Sequence, residues 1–337
     1  MQSKFAIAKK AQNYMSNPSA PENEAAQIDG PARGAAAILL CTYNGAGFLE
    51  EQLASIAGQS YANWVLYASD DGSTDATLPL LMAFQDRLGA HRVIIRCGPG
   101  KGFSANFLSL VREVSASYDF YAFCDQDDVW HPDKLQKSVA WLGQQMTVPA
   151  LHCGRTRLID EKGAPLGFSP LFNKEPSFDN ALMQNIAGGN TMAINRYAYQ
   201  LLKKTPLNAP LVCHDWWAYL MVAGCGGVVC YSPTPTLDYR QHTHNVIGAN
   251  TTLVSRLMRL RGMLKGKLTT WNDENLASLQ MVNTELTPEA RLSLERFAAL
   301  RHSTLIKRLW LLLISGFYRQ TFLGNCGLLL AVLIKRI

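Results

Sequence analysis

Four carboxylates, Asp125, Asp127, Asp128 and Asp133, lie in FCDQDDVWHPDKL (residues 123–135), directly behind an apolar run from Tyr118 to Cys124. Three chemistries place two aspartates in D-x-D spacing at the end of a buried strand. A helix–loop–helix calcium site needs glycine at its sixth position and glutamate at its twelfth. Trp130 and Gln136 stand there instead, so that reading fails. A phosphohydrolase of the haloacid dehalogenase type places its nucleophile in D-x-D-x-V after four apolar residues, as in YAFCDQDDV. It also needs a later strand-end acidic pair for magnesium, and none follows a downstream apolar run. The third chemistry is a divalent cation, Mg2+ or Mn2+, bridging protein carboxylates to a substrate diphosphate. Hard cations take oxygen ligands, and one or two carboxylates suffice when phosphates complete the shell. Asp125 and Asp127 are the candidates for that site. Asp133, behind Pro132 at the head of a helical pattern, is assigned to a helix N-terminus.

Other polar clusters suit a nucleotide diphosphate. SDDGSTDAT offers Asp70 and Asp71 to ribose hydroxyls or a base edge, and equally a turn and helix cap. Tyr43, in TYN, could stack on a base. GPGKG lacks the G-x-x-x-x-G-K-[ST] of a phosphate loop, and its glycines can simply turn the chain. His242 and His244 suggest zinc, yet no Cys/His set nearby completes tetrahedral spacing.

These clusters need a scaffold that brings them together. AAAILLCTYN, WVLYASDD, HRVIIRCG and YDFYAFCDQDD are short apolar runs ending in polar residues, and GFLEEQLASIAGQ, ATLPLLMAFQDRLG and FSANFLSLVREVS have helical spacing. Alternating strands and helices predict a mostly parallel central sheet flanked by helices. In such sheets ligands bind outside the carboxyl ends of the strands, where TYN, SDDGSTD, GPGKG and DQDD all fall. Residues 1–33, without sustained periodicity, are expected to form a loose lead-in. Residues 34–250 are expected to carry the catalytic domain and residues 251–337 a helical, basic and apolar C-terminal extension. In that extension, residues 253–264 and 287–308 mix Arg and Lys with Leu. The final LWLLLISGFYRQTFLGNCGLLLAVLIKRI is interrupted by Arg319, Gln320 and Asn325, which leaves it short of the roughly 18–20 residues of a spanning helix. A buried helical pair and an inner-membrane interfacial segment are equally compatible with it.

With 337 residues and 48% hydrophobic content the chain can bury a full core. Its net charge is +6, but charged residues make up only 17% and no long basic block lies outside the C-terminal part, so no nucleic-acid partner is expected. The eight cysteines form no C-x-x-C pair and are expected to be reduced and mostly buried. The N-terminal MQSKFAIAKKAQNYM lacks a long apolar core with a cleavage site, so a cytoplasmic location is expected.

Taken in order, TYNGAGFLEEQLASI, ASDDGSTDAT, GFSANF, CDQDDVWHPDKL, GGN, HDWW and YRQHTHN resemble a family 2 glycosyltransferase of GT-A fold over residues 35 to about 250. DQDDVW, HDWW and YRQH followed by N-x-x-G most resemble the bacterial rhamnosyltransferase branch. The resemblance implies an α/β nucleotide-diphospho-sugar transferase fold. It implies that Asp125 and Asp127 are the D-x-D metal residues, with Asp127 the principal ligand. Asp70 and Asp71 match the nucleoside-binding acidic pair, Thr42 and Tyr43 with adjoining Asn44 the base pocket, and Asp215 the catalytic base. His242 matches a histidine that approaches the metal or diphosphate. The implied reaction is inverting transfer of a sugar, rhamnose from dTDP-rhamnose in that branch, to a glycan or lipid-linked oligosaccharide in surface polysaccharide synthesis. Chemically, an in-line attack needs a carboxylate opposite the leaving diphosphate to accept the acceptor's proton, and a cation to neutralise charge on the leaving group. Trp216 and Trp217 could stack on sugars, with at least one expected in the core, and His214 is expected at the surface or as a cap unless it tunes Asp215. A phosphohydrolase and a non-catalytic nucleotide-sugar-binding membrane scaffold remain the alternatives.

Overall fold

The computed structural model describes residues 34–242 and 266–337. The lead-in expected over 1–33, the basic segment at 253–264 and His244 with the N-x-x-G that follows lie outside these residues.

The central strand, β1 (Ala36–Thr42), is buried at every position, as an unbroken apolar run covered on both faces of a parallel sheet should be. It pairs in parallel with β2 (Trp64–Asp70) on one side and β4 (Phe120–Cys124) on the other, and β2 pairs in parallel with β3 (Val93–Cys97). The crossovers are α1 (Leu49–Ala57), α2 (Thr77–Leu88) and α3 (Phe103–Glu113). The spatial order β3-β2-β1-β4 therefore sets the loops SDDGS, TYN and DQDD side by side. After β4 come the short β5 (Val129–Trp130), α4 (Lys134–Leu142), β6 (Ala150–Gly154), β7 (Arg157–Ile159) and β8 (Pro165–Phe168). Next follow α5 (Phe178–Met183), β9 (Ala193–Asn195), α6 (Arg196–Lys203), α7 (His214–Gly224), β10 (Val228–Ser232) and β11 (Leu237–Arg240). The seven-stranded sheet runs β10-β6-β9-β4-β1-β2-β3, with β9 antiparallel to both neighbours.

A second, four-stranded sheet has the order β5-β11-β7-β8. Its β11 lies antiparallel to β5, pairing Asp238 with Val129. That pairing carries the residues after β11 back over the DQDD loop, which no periodicity in these two- to four-residue strands announces.

The C-terminal helices are α8 (Lys267–Met281), α9 (Pro288–His302), α10 (Leu305–Ile314) and α11 (Phe322–Leu333). Thr287 caps α9, accepting from the Ala290 amide at 3.1 Å with Pro288 in the first turn. Leu279, Leu286, Leu294 and Phe297 belong to the same hydrophobic cluster as Trp216 and Trp217, so α8 and α9 share the core of the sheet. Helices α10 and α11 are about 15 and 18 Å long, half a bilayer core. Among the described residues no helix is long and apolar enough to cross a membrane. The turn between them follows Gly316, whose φ of 73° a side chain would resist. All eight cysteines are free; Cys41, Cys124, Cys153 and Cys213 are buried, whereas Cys97 and Cys326 are exposed, contrary to their apolar sequence context.

Candidate active site

The β1–β2 wall is laced by short polar contacts. Strand register aligns Thr42 with Asp70, and the Thr42 hydroxyl donates to Asp70 Oδ2 at 2.8 Å. Asp70 also accepts from the Ser73 amide at 2.9 Å and the Ser73 hydroxyl at 2.6 Å. Asp71 accepts from the amides of Gly100 at 2.7 Å and Gly102 at 2.8 Å. Those glycines have φ of 65° and 87°, so GPGKG turns its amides onto the Asp71 carboxylate. Asn44 takes φ 47°; its amide donates to the Ser73 hydroxyl at 2.8 Å, and its side-chain oxygen accepts from the Thr74 amide at 2.8 Å. The Tyr43 ring is 57% exposed at the mouth of this wall.

Gln126, the middle residue of D-Q-D, brackets the Tyr43 backbone: its Oε1 accepts from the Tyr43 amide at 2.8 Å and its Nε2 donates to the Tyr43 carbonyl at 3.0 Å. A Cβ at Gly45 would fall 2.2 Å from Gln126 Oε1, so a side chain there would push the Gln126 carboxamide off the Tyr43 backbone. With Gln126 turned to the protein, the flanking carboxylates are left to the crevice.

Burial pushes the Asp125 carboxyl up to about 8, with the negative charges of Asp127 and then Asp215 adding to it. Asp125 and Asp127 of one loop and Asp215 from a distant part of the chain therefore share one field. A cation placed among them would relieve both desolvation and repulsion. Among the described residues no three His, Cys, Asp or Glu form a ready cage. The donor set thus fits Mg2+ or Mn2+ that takes most of its oxygens from a diphosphate and water. His242 Nε2 lies 2.8 Å from Asp127 Oδ2, and its ring stacks on Phe48 at 4.9 Å.

Behind this pair, Asp128 is buried and accepts from Asn190 Nδ2 at 2.7 Å and the Arg240 amide at 3.2 Å. Its carboxyl is held well above the usual range by burial first, then by Asp127 and Asp125. Arg240 is buried, donates Nε to the Asp127 carbonyl at 3.0 Å and Nη1 to the Glu161 carbonyl at 3.0 Å, and pairs with Glu51. Its guanidinium sits 5.1 Å from the centre of the Phe48 ring.

Asp215 stands in the first turn of α7. Its Oδ2 accepts from the Gly189 amide at 3.1 Å and its Oδ1 from the Trp216 amide at 2.7 Å. A Cβ at Gly189 would meet His214 Nε2 at 2.8 Å, so only glycine lets the GGN loop press on this helix start.

Two sequence expectations change here. Trp216 and Trp217 are both buried, their indole nitrogens donating to the Ala181 carbonyl at 2.7 Å and the Thr205 hydroxyl at 2.8 Å, so neither stacks on sugar. An all-round apolar helix is a buried one. His214 is neither cap nor surface residue: it stacks on Phe107 at 4.0 Å and Phe123 at 5.5 Å. Burial lowers its pKa to about 4. Asp133 stands at the N-cap of α4 without a side-chain cap bond and pairs with Lys137 at 2.6 Å. Arg240, Asn190 and Asp128 carried no assigned role in the sequence, although YRQH, GGN and DQDD contain them.

A mostly parallel sheet flanked by helices, with these acidic loops at the carboxyl ends of its parallel strands, is the architecture of the GT-A class of nucleotide-diphospho-sugar glycosyltransferases. Residues 37–201, just under half of the chain, match the model of Glycosyl transferase family 2. The chain is 29% identical to the dTDP-rhamnosyl transferase RfbG of Shigella flexneri, over 68% of this chain and 80% of that protein. It is 28% identical to the UDP-Glc:alpha-D-GlcNAc-diphosphoundecaprenol beta-1,3-glucosyltransferase WfgD of Escherichia coli, over 31% of this chain and 40% of that protein. Among solved structures, the mannosyltransferase PcManGT of Pyrobaculum calidifontis, in complex with GDP-Man and Mn2+, is 16% identical with a TM-score of 0.49, covering 98% of this chain and 93% of that one. The family match displaces the phosphohydrolase alternative.

Proposed function

We propose that the protein is an inverting, metal-dependent glycosyltransferase that moves rhamnose from dTDP-rhamnose to a glycan or lipid-linked oligosaccharide in polysaccharide synthesis. The observation that carries the reading is the meeting of Asp125, Asp127 and Asp215 in one field at the mouth of β4. The similarity to RfbG supports the donor. Acceptor chemistry rests on the similarity to WfgD, which is named for a diphosphoundecaprenol-linked substrate.

In this reading Asp127 and Asp125 hold Mg2+ or Mn2+, which supplies charge neutralisation on the leaving diphosphate. Tyr43 stacks on the base, and Asp71, with lone pairs beyond those taken by Gly100 and Gly102, faces the ribose. Asp70, already accepting three hydrogen bonds, shapes the pocket by holding Thr42 and Ser73. His242 orients Asp127 and lies beside the diphosphate. Asp215 accepts the proton of the attacking hydroxyl; the Gly189 amide fixes the orientation in which it does so.

The test is thermal stabilisation by nucleotide diphosphates and their sugars with Mn2+, Mg2+ or EDTA, on wild type and Asp127→Ala, followed by product analysis. A ligand that binds only the folded state raises its stability. Metal-dependent stabilisation by dTDP-rhamnose, lost in Asp127→Ala and accompanied by transfer, supports the reading. Stabilisation without transfer by any donor would favour the silent scaffold, and stabilisation by another nucleotide alone would replace the donor.

A further inference from the structure

Helices α10 (LIKRLWLLLI) and α11 (FLGNCGLLLAVL) are among the most apolar of the chain, yet few of their side chains reach the core. Arg308 and Leu311 are buried in one, and Leu328, Ala331 and Val332 in the other. Ile306 is 83% exposed, Leu313 84% and Phe322 81%, with Trp310 and Leu323 more than half exposed. α10 packs against both α9 and α11, so these residues share one helical hairpin. Folded proteins seldom leave apolar patches of this size open without a partner.

Three features argue for what covers it. Between residues 296 and 337 the chain has seven Lys and Arg and no Asp or Glu. Lys307, Lys335 and Arg336 are exposed on the hairpin. A second copy of the same face would bring these like charges together, whereas anionic headgroups would meet them with opposite charge. Trp310 offers an apolar body with a polar N–H, the combination suited to the boundary between acyl chains and water. Both helices are too short to span and are suited to lie flat.

The hairpin is also firmly mounted. Gln320 Nε2 donates to the Lys174 carbonyl at 3.0 Å while its Oε1 accepts from the Lys174 amide at 3.0 Å. Its own amide donates to Gln184 Oε1 at 3.0 Å, and Asn180 Nδ2 donates to the Tyr318 carbonyl at 3.0 Å. Arg308 ties α10 to the Val332 carbonyl of α11. Asn180 lies in α5 and Gln184 directly follows it, in the segment that runs into the Gly188–Asn190 loop beside Asp215.

We propose that the outward face of α10 and α11 docks the protein, without spanning, on an anionic lipid bilayer. This goes beyond the transfer chemistry and does not depend on it. The test is flotation of the full chain with vesicles of phosphatidylcholine mixed with phosphatidylglycerol, against phosphatidylcholine alone. Binding to the mixed vesicles should fall on raising salt, and should fall roughly fivefold for each of Lys307→Gln, Lys335→Gln and Arg336→Gln. The double variant Ile306→Glu and Leu313→Glu changes only exposed positions and should abolish binding while keeping the wild-type melting temperature. Absence of binding to either vesicle, or binding that these variants leave unchanged, overturns the proposal. So does a dimer, seen by light scattering, that the double variant dissociates while vesicles bind neither form. Nucleotide-dependent stabilisation of the same variants should equal wild type, which separates failure of docking from failure of the transfer reading.

Discussion

Arg240 is the residue whose removal should reveal most about how the crevice is built. In Arg240→Met the chain keeps a side chain of similar reach against Phe48 and leaves no charge stranded in the interior. What it loses includes the Nε donor to the Asp127 carbonyl, the Nη1 donor to the Glu161 carbonyl, shared at a longer 3.4 Å with the Asp160 carbonyl, and the pair with Glu51. Glu51 is more than half exposed, so that pair contributes at most about 1 kcal/mol. Two carbonyls left without their donor cost about 1 kcal/mol each, the low end for buried acceptors, because water can enter from the crevice. The sum is about 3 kcal/mol, and at roughly 2–4 °C per kcal/mol it lowers the melting temperature by about 6–12 °C. Donor turnover should fall as well, since the Asp127 backbone loses its anchor while the carboxylate itself is intact. Arg240→Lys should sit between the two, because an ammonium cannot serve three directions at once. Thermal unfolding followed by far-UV circular dichroism, alongside donor turnover at a temperature where all variants are folded, decides the matter. A shift under about 2 °C, less than 1 kcal/mol, with unchanged turnover would refute the anchoring role.

Asp215→Asn should reduce sugar transfer by about 10²- to 10⁴-fold, the usual worth of a positioned base, while nucleotide stabilisation stays at its wild-type value and the melting temperature falls modestly, because the carboxamide can accept from only one of the Gly189 and Trp216 amides; single-turnover rates at saturating donor measure it, and equal rates would remove Asp215 from the mechanism. His214 supplies a pH signature. Its folded-state pKa of about 4 lies below the ordinary 6.5, so its contribution to stability is complete above pH 6.5 and lost as the pH falls towards 4. The loss is about 3 kcal/mol. His152, lowered to about 4 by burial and by Lys134, acts in the same direction. His214→Phe keeps the ring stack and takes up no proton, so urea unfolding at pH 7 and pH 4.5 should show a smaller difference than in wild type; an equal difference would mean that His214 is protonated in the folded state.

The sheet edge that carries the crevice was legible because β1 to β4 are apolar runs of ordinary length, each followed by a loop of polar residues and, up to β3, by a helix of clear period. The smaller sheet was not. Val129–Trp130 is two residues long and becomes a strand only because Leu237–Arg240 returns to pair with it across more than a hundred residues. For the same reason a lone Arg240 in YRQH gave no sign of being buried, while the histidine two residues on drew the chemical reading. Trp216 and Trp217 were expected to divide between core and sugar, and both are core: beyond its first turn, which carries Asp215, this eleven-residue helix is apolar on every side and buried. Asp70 and Asp71 were visible as an acidic pair, but sequence spacing could not tell that each holds a different loop.

The tie formed by Gly189 and Asn190 bears on how such a protein can be recombined. These neighbours serve opposite walls, Gly189 through its amide to Asp215 and Asn190 through its side chain to Asp128. An exchange of the acceptor wall for that of a relative would have to carry Gly189 to fit the incoming helix and keep Asn190 to fit the resident aspartate. Adjacent residues cannot be inherited from different parents at will, so a crossover in this region joins two compatible halves only when both parents share the pair. The natural seam for a chimera therefore lies away from residues 188–191, and swaps placed there should yield folded chains with a displaced base.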